Sequence, residues 1–339
     1  MTDGAMTPQD PAQDATAGMA AAVAAGDRRA LARAITLVES TRADHRREAR
    51  ALMAALAGRG ESLRLGLSGP PGVGKSTFIE HLGLMLTGRG RRVAVLAVDP
   101  SSTRTGGAVL GDKTRMERLA RDPRAFIRPS PSRGELGGVA RRTREALALV
   151  EAAGFDVCIV ETVGVGQSET MVADMTDVFA LLVAPAGGDD LQGVKRGVME
   201  AADLVIVNKA DGDLLPAARR TAADYAGALR LMRRRPHDPE GYPMALTVSA
   251  LTEDGLAGAW EAVERLDAAR RAAGWRRERR RAQAVRWMHA EIEAGLRAAL
   301  AADPDVAQIT RKLEARVAAG DLAPEAAAAQ ALAAFRIAR

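Results

Sequence analysis

The segment Gly69-Pro70-Pro71-Gly72-Val73-Gly74-Lys75-Ser76 combines small residues that expose backbone with one ammonium and one hydroxyl. Its order, G-x-x-x-x-G-K-[ST], is suited to cradling a polyphosphate. Glycines let successive N–H groups turn toward an anion, and a helix starting there adds roughly half a unit of positive charge. In this reading the backbone of Gly69, Gly72, Val73, Gly74 and Thr77 lines the phosphates. Lys75 reaches the β- and γ-phosphates, and the Ser76 hydroxyl coordinates Mg²⁺.

A second group, Asn208-Lys209-Ala210-Asp211, selects the base. The Asp211 carboxylate offers two acceptors to the guanine N1–H and N2 amino group, which adenine does not present in that arrangement. Asn208 ties neighbouring loops together and the Lys209 stem lies along the ring. Sites built to hydrogen-bond particular groups reject analogues lacking them by roughly 10⁴ to 10⁵. The backbone of Ser249-Ala250-Leu251 is placed to read the guanine O6. GTP and GDP are therefore expected in preference to adenine nucleotides.

Acids supply the third group. Asp99 follows the apolar run Arg92 to Val98, and Glu161 closes the run Phe155 to Val160. An acid at the carboxyl end of a parallel strand faces the ligand crevice of an open α/β sheet. Glu161 occupies the place of the carboxylate that sits behind Mg²⁺ in phosphate-loop enzymes. Asp99 is a candidate for metal contact through water, for orienting the attacking water, or for a turn cap. Thr103 to Arg115, polar and glycine-rich, has the composition of a switch that orders on the γ-phosphate, with Asp112 a second group near the metal. Glu161-Thr162-Val163-Gly164 resembles the D-x-x-G switch of GTPases with a longer acid. The Gly164 amide would bind the γ-phosphate, while Gln167 either positions water or is solvated. Asp189 and Lys195 lie in another glycine-rich, charged loop with the character of a moving segment.

The elements that must hold these groups are legible as apolar runs. Leu63–Leu67, Arg92–Val98, Ala125–Arg128, Phe155–Thr162, Asp177–Ala184, Leu204–Val207 and Ala245–Val248 read as strands, mostly of the kind buried on both faces of a parallel sheet. Helical spacing follows the phosphate loop at Phe78, Ile79, Leu82, Met85 and Leu86, and recurs at about Gly138 to Ala153 and Asp213 to Arg235. Before the first strand, Leu31, Ala34, Ile35 and Val38, then Ala49, Leu52, Met53 and Leu56, predict two amphipathic helices. From Gly255 onward the chain reads helical, ending in helices near Val306 to Ala319 and Pro324 to Ile337.

The 339 residues suffice for one large α/β core with helical additions, and 47% are hydrophobic. The net charge of +5, from 48 Lys and Arg against 43 Asp and Glu, is a small excess and a weak hint of an acidic partner or nucleic acid. Arg270-Arg271 and Arg276 through Arg281 form a basic stretch beside Trp275 and Trp287, read as a subunit contact in preference to a nucleic-acid surface. The single Cys158 lies in an apolar strand, which excludes an internal disulfide and points to an inert thiol. No apolar run of membrane-spanning length and no secretory signal pattern occurs. A cytoplasmic protein without a membrane partner is expected.

The motifs together resemble the MeaB/ArgK/MMAA G-proteins, chaperones of adenosylcobalamin-dependent acyl-CoA mutases within the SIMIBI class of phosphate-loop GTPases. The residues that carry the resemblance are Val98 to Gly107, Leu110 to Met116, Phe126 to Pro131, Glu161 to Glu169 and Asn208 to Asp211, and the likeness covers about residues 27–295. It implies an α/β fold with a mostly parallel sheet, a helical N-terminal extension and a C-terminal helical arm through which two subunits form a homodimer. The corresponding boundaries are a largely disordered tail over 1–26, its first dozen or so residues disordered and the remainder loosely helical, the extension over 27–60, the GTPase domain over 61–267 and the arm over 268–339. The resemblance also implies Lys75 on the phosphates, Ser76 and Asp99 near Mg²⁺, Asp112 and Glu161 in the hydrolysis and switch machinery, and Asp189 to Lys195 as a switch that relays nucleotide state. The implied activity is slow GTP hydrolysis, stimulated by the partner, that gates cofactor loading and protects a mutase such as methylmalonyl-CoA mutase. Rival readings are a GTP-dependent metallochaperone, which one cysteine and four histidines do not equip, a phosphate-loop kinase, and a protein for which GTP is only a conformational ligand.

Overall fold

Seven runs of apolar sequence become seven strands of one parallel sheet: β1 (Leu63–Ser68), β2 (Val93–Val98), β3 (Ala125–Ser130), β4 (Val157–Thr162), β5 (Val178–Val183), β6 (Leu204–Val207) and β7 (Met244–Thr247). The structure is a computed structural model that describes residues 11–98, 116–130, 136–162, 168–185, 196–232 and 235–335. Strand order is β3-β2-β4-β1-β5-β6-β7. The chain leaves β1 for one side, returns to pair β4 against it, and then builds the other side from β5. That reversal opens a crevice at the carboxyl end of β1, where open sheets of this kind bind ligands.

Helices cover the sheet: α4 (Lys75–Gly88), α5 (Glu117–Arg121), α6 (Leu136–Ala152), α7 (Ser168–Ala173), α8 (Arg196–Ala201), α9 (Leu215–Arg230) and α10 (Leu256–Ala272). Helix α4 turns Phe78, Ile79, Leu82 and Leu86 into the core shared with Leu65 and Leu67 of β1, each worth about 1.5–3 kcal/mol of burial. Parallel strands covered on both faces must be apolar along their whole length, and β2, β4 and β5 are buried at every position. Helix α9 is shorter than the sequence pattern suggests. A 3₁₀ turn, Gly212–Leu214, precedes it, and Pro216 sits at the first helical turn, where its missing N–H costs nothing.

The N-terminal segment forms three helices, α1 (Pro11–Ala24), α2 (Arg28–Glu39) and α3 (Ala43–Ala55). Asp27 caps α2 by accepting from the N–H groups of Arg29 and Ala30 at 2.7 and 3.0 Å. The four periodic residues Leu31, Ala34, Ile35 and Val38 are all fully buried. Ahead of it, α1 covers the part of 1–26 that reads as loosely helical, and Ala20 and Val23 bury against the extension. Arg46 of α3 pairs with Glu145 of α6 at 2.8 Å, and Arg128 of β3 pairs with Glu39 at 2.5 Å, so the extension covers the β3 side of the sheet.

Two compact units divide the chain, Met1–Arg280 and Arg281–Arg339. Helix α11 (Trp275–Ala302) begins in the first; the second contains its remainder with α12 (Pro304–Ala318) and α13 (Pro324–Ala334). Within the second unit α12 and α13 pack together, and Asp303 caps α12 ahead of Pro304. The division falls later than residue 268 because arginines of the basic stretch read as a subunit contact are internal. Arg270 is fully buried and pairs with Asp203 at 2.6 Å and Asp238 at 2.7 Å; Arg276 pairs with Asp267 at 2.8 Å and Arg280 with Asp177 at 2.6 Å. Asp177 and Asp203 immediately precede β5 and β6, so this network closes the amino edge of the sheet, opposite the crevice.

Candidate nucleotide site

The loop from β1 to α4 is shaped by close backbone approach. Gly74, the N-cap of α4, has φ 92°, and a Cβ there would stand 2.7 Å from Asn208 Nδ2. A Cβ on Gly69 would stand 2.3 Å from the Leu182 carbonyl oxygen. Both glycines are therefore required by contact as well as by conformation. Lys75 is buried at the first position of α4 and its Nζ donates to the carbonyls of Gly69 at 2.7 Å and Pro70 at 3.1 Å. Its ammonium thus lies inside the loop, solvated by the loop's own oxygens. Ser76 and Thr77 follow on the first turn, half-buried.

Glu161, next to last in β4, is buried and stands in register with Leu67 of β1 and Ala97 of β2. Beside it Thr162 donates to the Ser68 hydroxyl at 2.8 Å, which joins the carboxyl ends of β4 and β1. A carboxylate and the start of the phosphate loop are therefore on one edge of two adjacent strands. Asp99, Asp112, Gly164, Gln167, Asp189 and Lys195 lie outside the described residues.

The base-selecting motif follows β6. Asn208 is buried; its Nδ2 donates to the Val73 carbonyl at 2.9 Å and its Oδ1 accepts from the Ala250 N–H at 3.0 Å. One side chain thereby joins the phosphate loop, the segment after β6 and the segment after β7. Lys209 adopts φ 60°, unusual for a residue with a Cβ, while Ala210 donates to the Val248 carbonyl at 3.1 Å. Asp211 Oδ2 accepts a short hydrogen bond from the Ser249 hydroxyl, and Ser249 Oγ accepts from the Thr252 N–H at 3.1 Å. Ser249 and Ala250 are buried, whereas Leu251 is exposed.

Two contacts near the site were not anticipated in the sequence. Glu80 accepts from the Arg118 N–H at 2.8 Å at the start of α5, which anchors the chain just after the polar segment ending at Arg115. Its neighbour His81 pairs through Nδ1 with Glu253 at 2.8 Å. Glu80 and His81 are polar residues on an otherwise largely apolar helix, which is the one sequence signal that could have hinted at either contact. Cys158 is fully buried and burial pushes its thiol pKa up, in keeping with an inert group. Among the described residues no group of three or more His, Cys, Asp or Glu gathers as a metal cluster. No described helix is long and apolar enough to cross a membrane.

A parallel sheet with a phosphate loop after its central strand, and an N-K-x-D segment bridged to that loop, defines a phosphate-loop GTPase. The family model for "Methylmalonyl Co-A mutase-associated GTPase MeaB" matches residues 31–305. The chain is 53% identical over 320 residues to Probable GTPase Rv1496 of Mycobacterium tuberculosis, covering 94% of this chain and 95% of that one. It is 50% identical over 269 residues to GTPase ArgK of Escherichia coli, covering 79% and 81%, and 46% identical over 322 residues to the mitochondrial Methylmalonic aciduria type A homolog of Mus musculus, covering 92% and 77%. A crystal structure titled LAO/AO transport system kinase superposes with TM-score 0.73 at 37% identity, covering 96% of this chain and 99% of that one. The chain belongs to the MeaB family and is a guanine-nucleotide-binding GTPase.

Proposed function

We propose that this GTPase is a nucleotide-driven chaperone of an adenosylcobalamin-dependent acyl-CoA mutase, methylmalonyl-CoA mutase being the favoured client. In this reading GTP binding and hydrolysis gate cofactor loading and protect the mutase. The observation that carries the nucleotide half is Asn208, which holds the phosphate loop and the base-selecting segments in one hydrogen-bonded unit. The family's printed description, and the name of the murine relative, support the mutase half.

Within the site, Lys75 and the amides of Gly69 to Thr77 hold the phosphates, Asp211 reads the guanine, and Ser249 to Leu251 close over its O6. Lys75 exchanges its carbonyl partners for phosphate oxygens, so the charge spreading over the transferring group meets a cation already in position. Hard oxygen donors suit Mg²⁺, and Ser76 and buried Glu161, with Asp99, are the residues that would hold it. When bound, the ion neutralises charge on the β- and γ-phosphates. No described side chain presents itself as a general base, in keeping with slow intrinsic turnover that rises when a partner orders Asp112, Gly164, Gln167 and the Asp189 to Lys195 switch.

The second unit supports a homodimer. Val285, Met288, Ile292 and Leu296 recur along one stripe of α11 and are 54, 52, 51 and 48% exposed. A seam of that spacing on a long helix is suited to pairing with another helix. The reading further places the protein in the cytoplasm and gives it no nucleic-acid partner, since Arg270, Arg276 and Arg280 are engaged with internal carboxylates.

The test is phosphate release from GTP by the full chain with and without methylmalonyl-CoA mutase, together with co-purification of the pair. A rate raised by the mutase, and a stable complex, are the expected results. An unchanged rate and no complex would overturn the chaperone reading while leaving the GTPase intact.

A further inference from the structure

The segment after β7 is held from outside the guanine motif. Glu253 adopts φ 65°, a left-handed conformation that a residue with a Cβ occupies only when its surroundings impose it. Its carboxylate reaches across 172 residues of sequence to His81 Nδ1 at 2.8 Å. The histidine is the less exposed member of the pair, its side chain 13% exposed against 60% for the glutamate. His81 stands on α4, the helix that begins with Lys75, so the contact pins the far end of the segment to the helix of the phosphate loop.

From Glu253 the hydrogen bonds lead inward. Ser249 N–H donates to the Asp254 carbonyl at 2.9 Å and Thr252 N–H donates to Ser249 Oγ at 3.1 Å, which folds residues 249–254 into a closed turn. The Ser249 hydroxyl, held in that turn, donates to Asp211 Oδ2. Its proton fixes the plane of the carboxylate, and each carboxylate oxygen keeps a lone pair for the ligand. Asn208 bridges the same segment to the phosphate loop from the opposite side, through Ala250.

We propose that the His81–Glu253 pair is a latch that sets the orientation of the guanine-reading carboxylate, with both members acting as positioning residues through Ser249. This rests on the assignment of Asp211 to the base. When the latch opens, the turn relaxes toward an unstrained backbone, the Ser249 hydroxyl loses its direction, and Asp211 reads the guanine 2-amino group less well. The phosphate contacts of Lys75 are untouched. The effect therefore falls on discrimination between bases and leaves the affinity for the triphosphate common to them.

The probes are GTP and inosine triphosphate, which differ only in the 2-amino group. The readout is the ratio of their dissociation constants, measured by titration calorimetry on the full chain. His81→Ala and Glu253→Ala are each expected to lower the preference for GTP roughly two- to fivefold, the range of one partly exposed side-chain contact to a carboxylate. The double variant should lose no more than either single one, because both remove the same contact. His81→Gln, which keeps an N–H donor, should restore most of the ratio. A merely structural role would lower the thermal midpoint and leave the ratio unmoved. Unaltered ratios in both alanine variants overturn the latch, as does additivity in the double variant. Asp211→Asn separates the two ideas: if it keeps the preference for guanine, the base assignment itself fails, whereas its loss beside unaltered His81 and Glu253 variants removes only the latch.

Discussion

The side-chain amide of Asn208 donates to the backbone carbonyl of Val73 at 2.9 Å, joining two loops separated by 135 residues of sequence. Both ends of that amide are used, since the oxygen accepts from Ala250 N–H. Replacing Asn208 by Ala strands two buried backbone groups, each costing about 1–3 kcal/mol. Affinity for GTP and thermal stability are both expected to fall, read by calorimetry and by thermal unfolding. Retention of both would mean that the bridge is idle.

Lys75 carries the next prediction. Its ammonium is the one described cation inside the phosphate loop, bonded to Gly69 and Pro70 carbonyls. Lys75→Ala should cut phosphate release about 10²–10³-fold, the loss typical of one preorganised charge-stabilising group. Turnover near the wild-type rate would count decisively against the assignment.

Asp211→Asn replaces an acceptor by a group that also donates. Selectivity for GTP over ATP is expected to fall by roughly 10² or more, while xanthosine triphosphate, with a carbonyl at the same ring position, gains. Competition binding with the three nucleotides measures it. A variant that still rejects ATP and xanthosine triphosphate equally would locate base recognition elsewhere.

Much of this was legible beforehand. The phosphate loop and N-K-A-D are local spellings, and β2, β4 and β5 are unbroken apolar runs because both faces of each are covered. Hidden from the sequence were pairings between distant residues. Arg270, Arg276 and Arg280 read as a subunit contact because Asp203 and Asp177, which engage Arg270 and Arg280, lie 67 and 103 residues away in the chain, and only the Asp267 partner of Arg276 is local. The link from His81 to Glu253 was hidden for the same reason. The packing of α1 was also illegible, since an alanine-rich stretch that reads as loosely helical declares no partner until Ala20 and Val23 are seen buried.

The arginine network makes stability depend on acid. Burial opposes ionisation of Asp177, yet Arg280, Arg276 and Arg64 outweigh it and hold its carboxyl below the usual range. Asp203, held by Arg270 and Arg235 against the same opposition, and Glu151, held by Arg64 and Arg280, are depressed likewise. Groups with lowered folded pKa stabilise above the ordinary carboxylate value of about 4 and lose that contribution as pH falls through the lower folded values. Denaturant unfolding should therefore show stability dropping below about pH 4. Asp177→Asn should cost about 3–5 kcal/mol at neutral pH and flatten the acid limb. Stability constant between pH 6 and 3 would contradict the coupling.

The stripe on α11 predicts self-association. Glutamate at Met288 and Ile292, both about half exposed, places two charges within the seam without disturbing the first unit's core. Light scattering should give a dimer for the wild type and a monomer for the double variant, with GTP binding retained. A monomeric wild type would remove the homodimer.

The closure of the sheet's amino edge limits how the molecule can be shortened. A fragment stopped at residue 267 would carry Asp177, Asp203 and Glu151 into the interior without Arg270, Arg276 and Arg280. The smallest autonomous catalytic piece must therefore retain the first turns of the helix that leads into the arm. The root of that helix is itself tied to the feet of β1 and β5, where Arg276 and Arg280 hold the Ser62 carbonyl and the Asp177 carboxylate, so these arginines belong to the floor of the sheet as much as the strands they close.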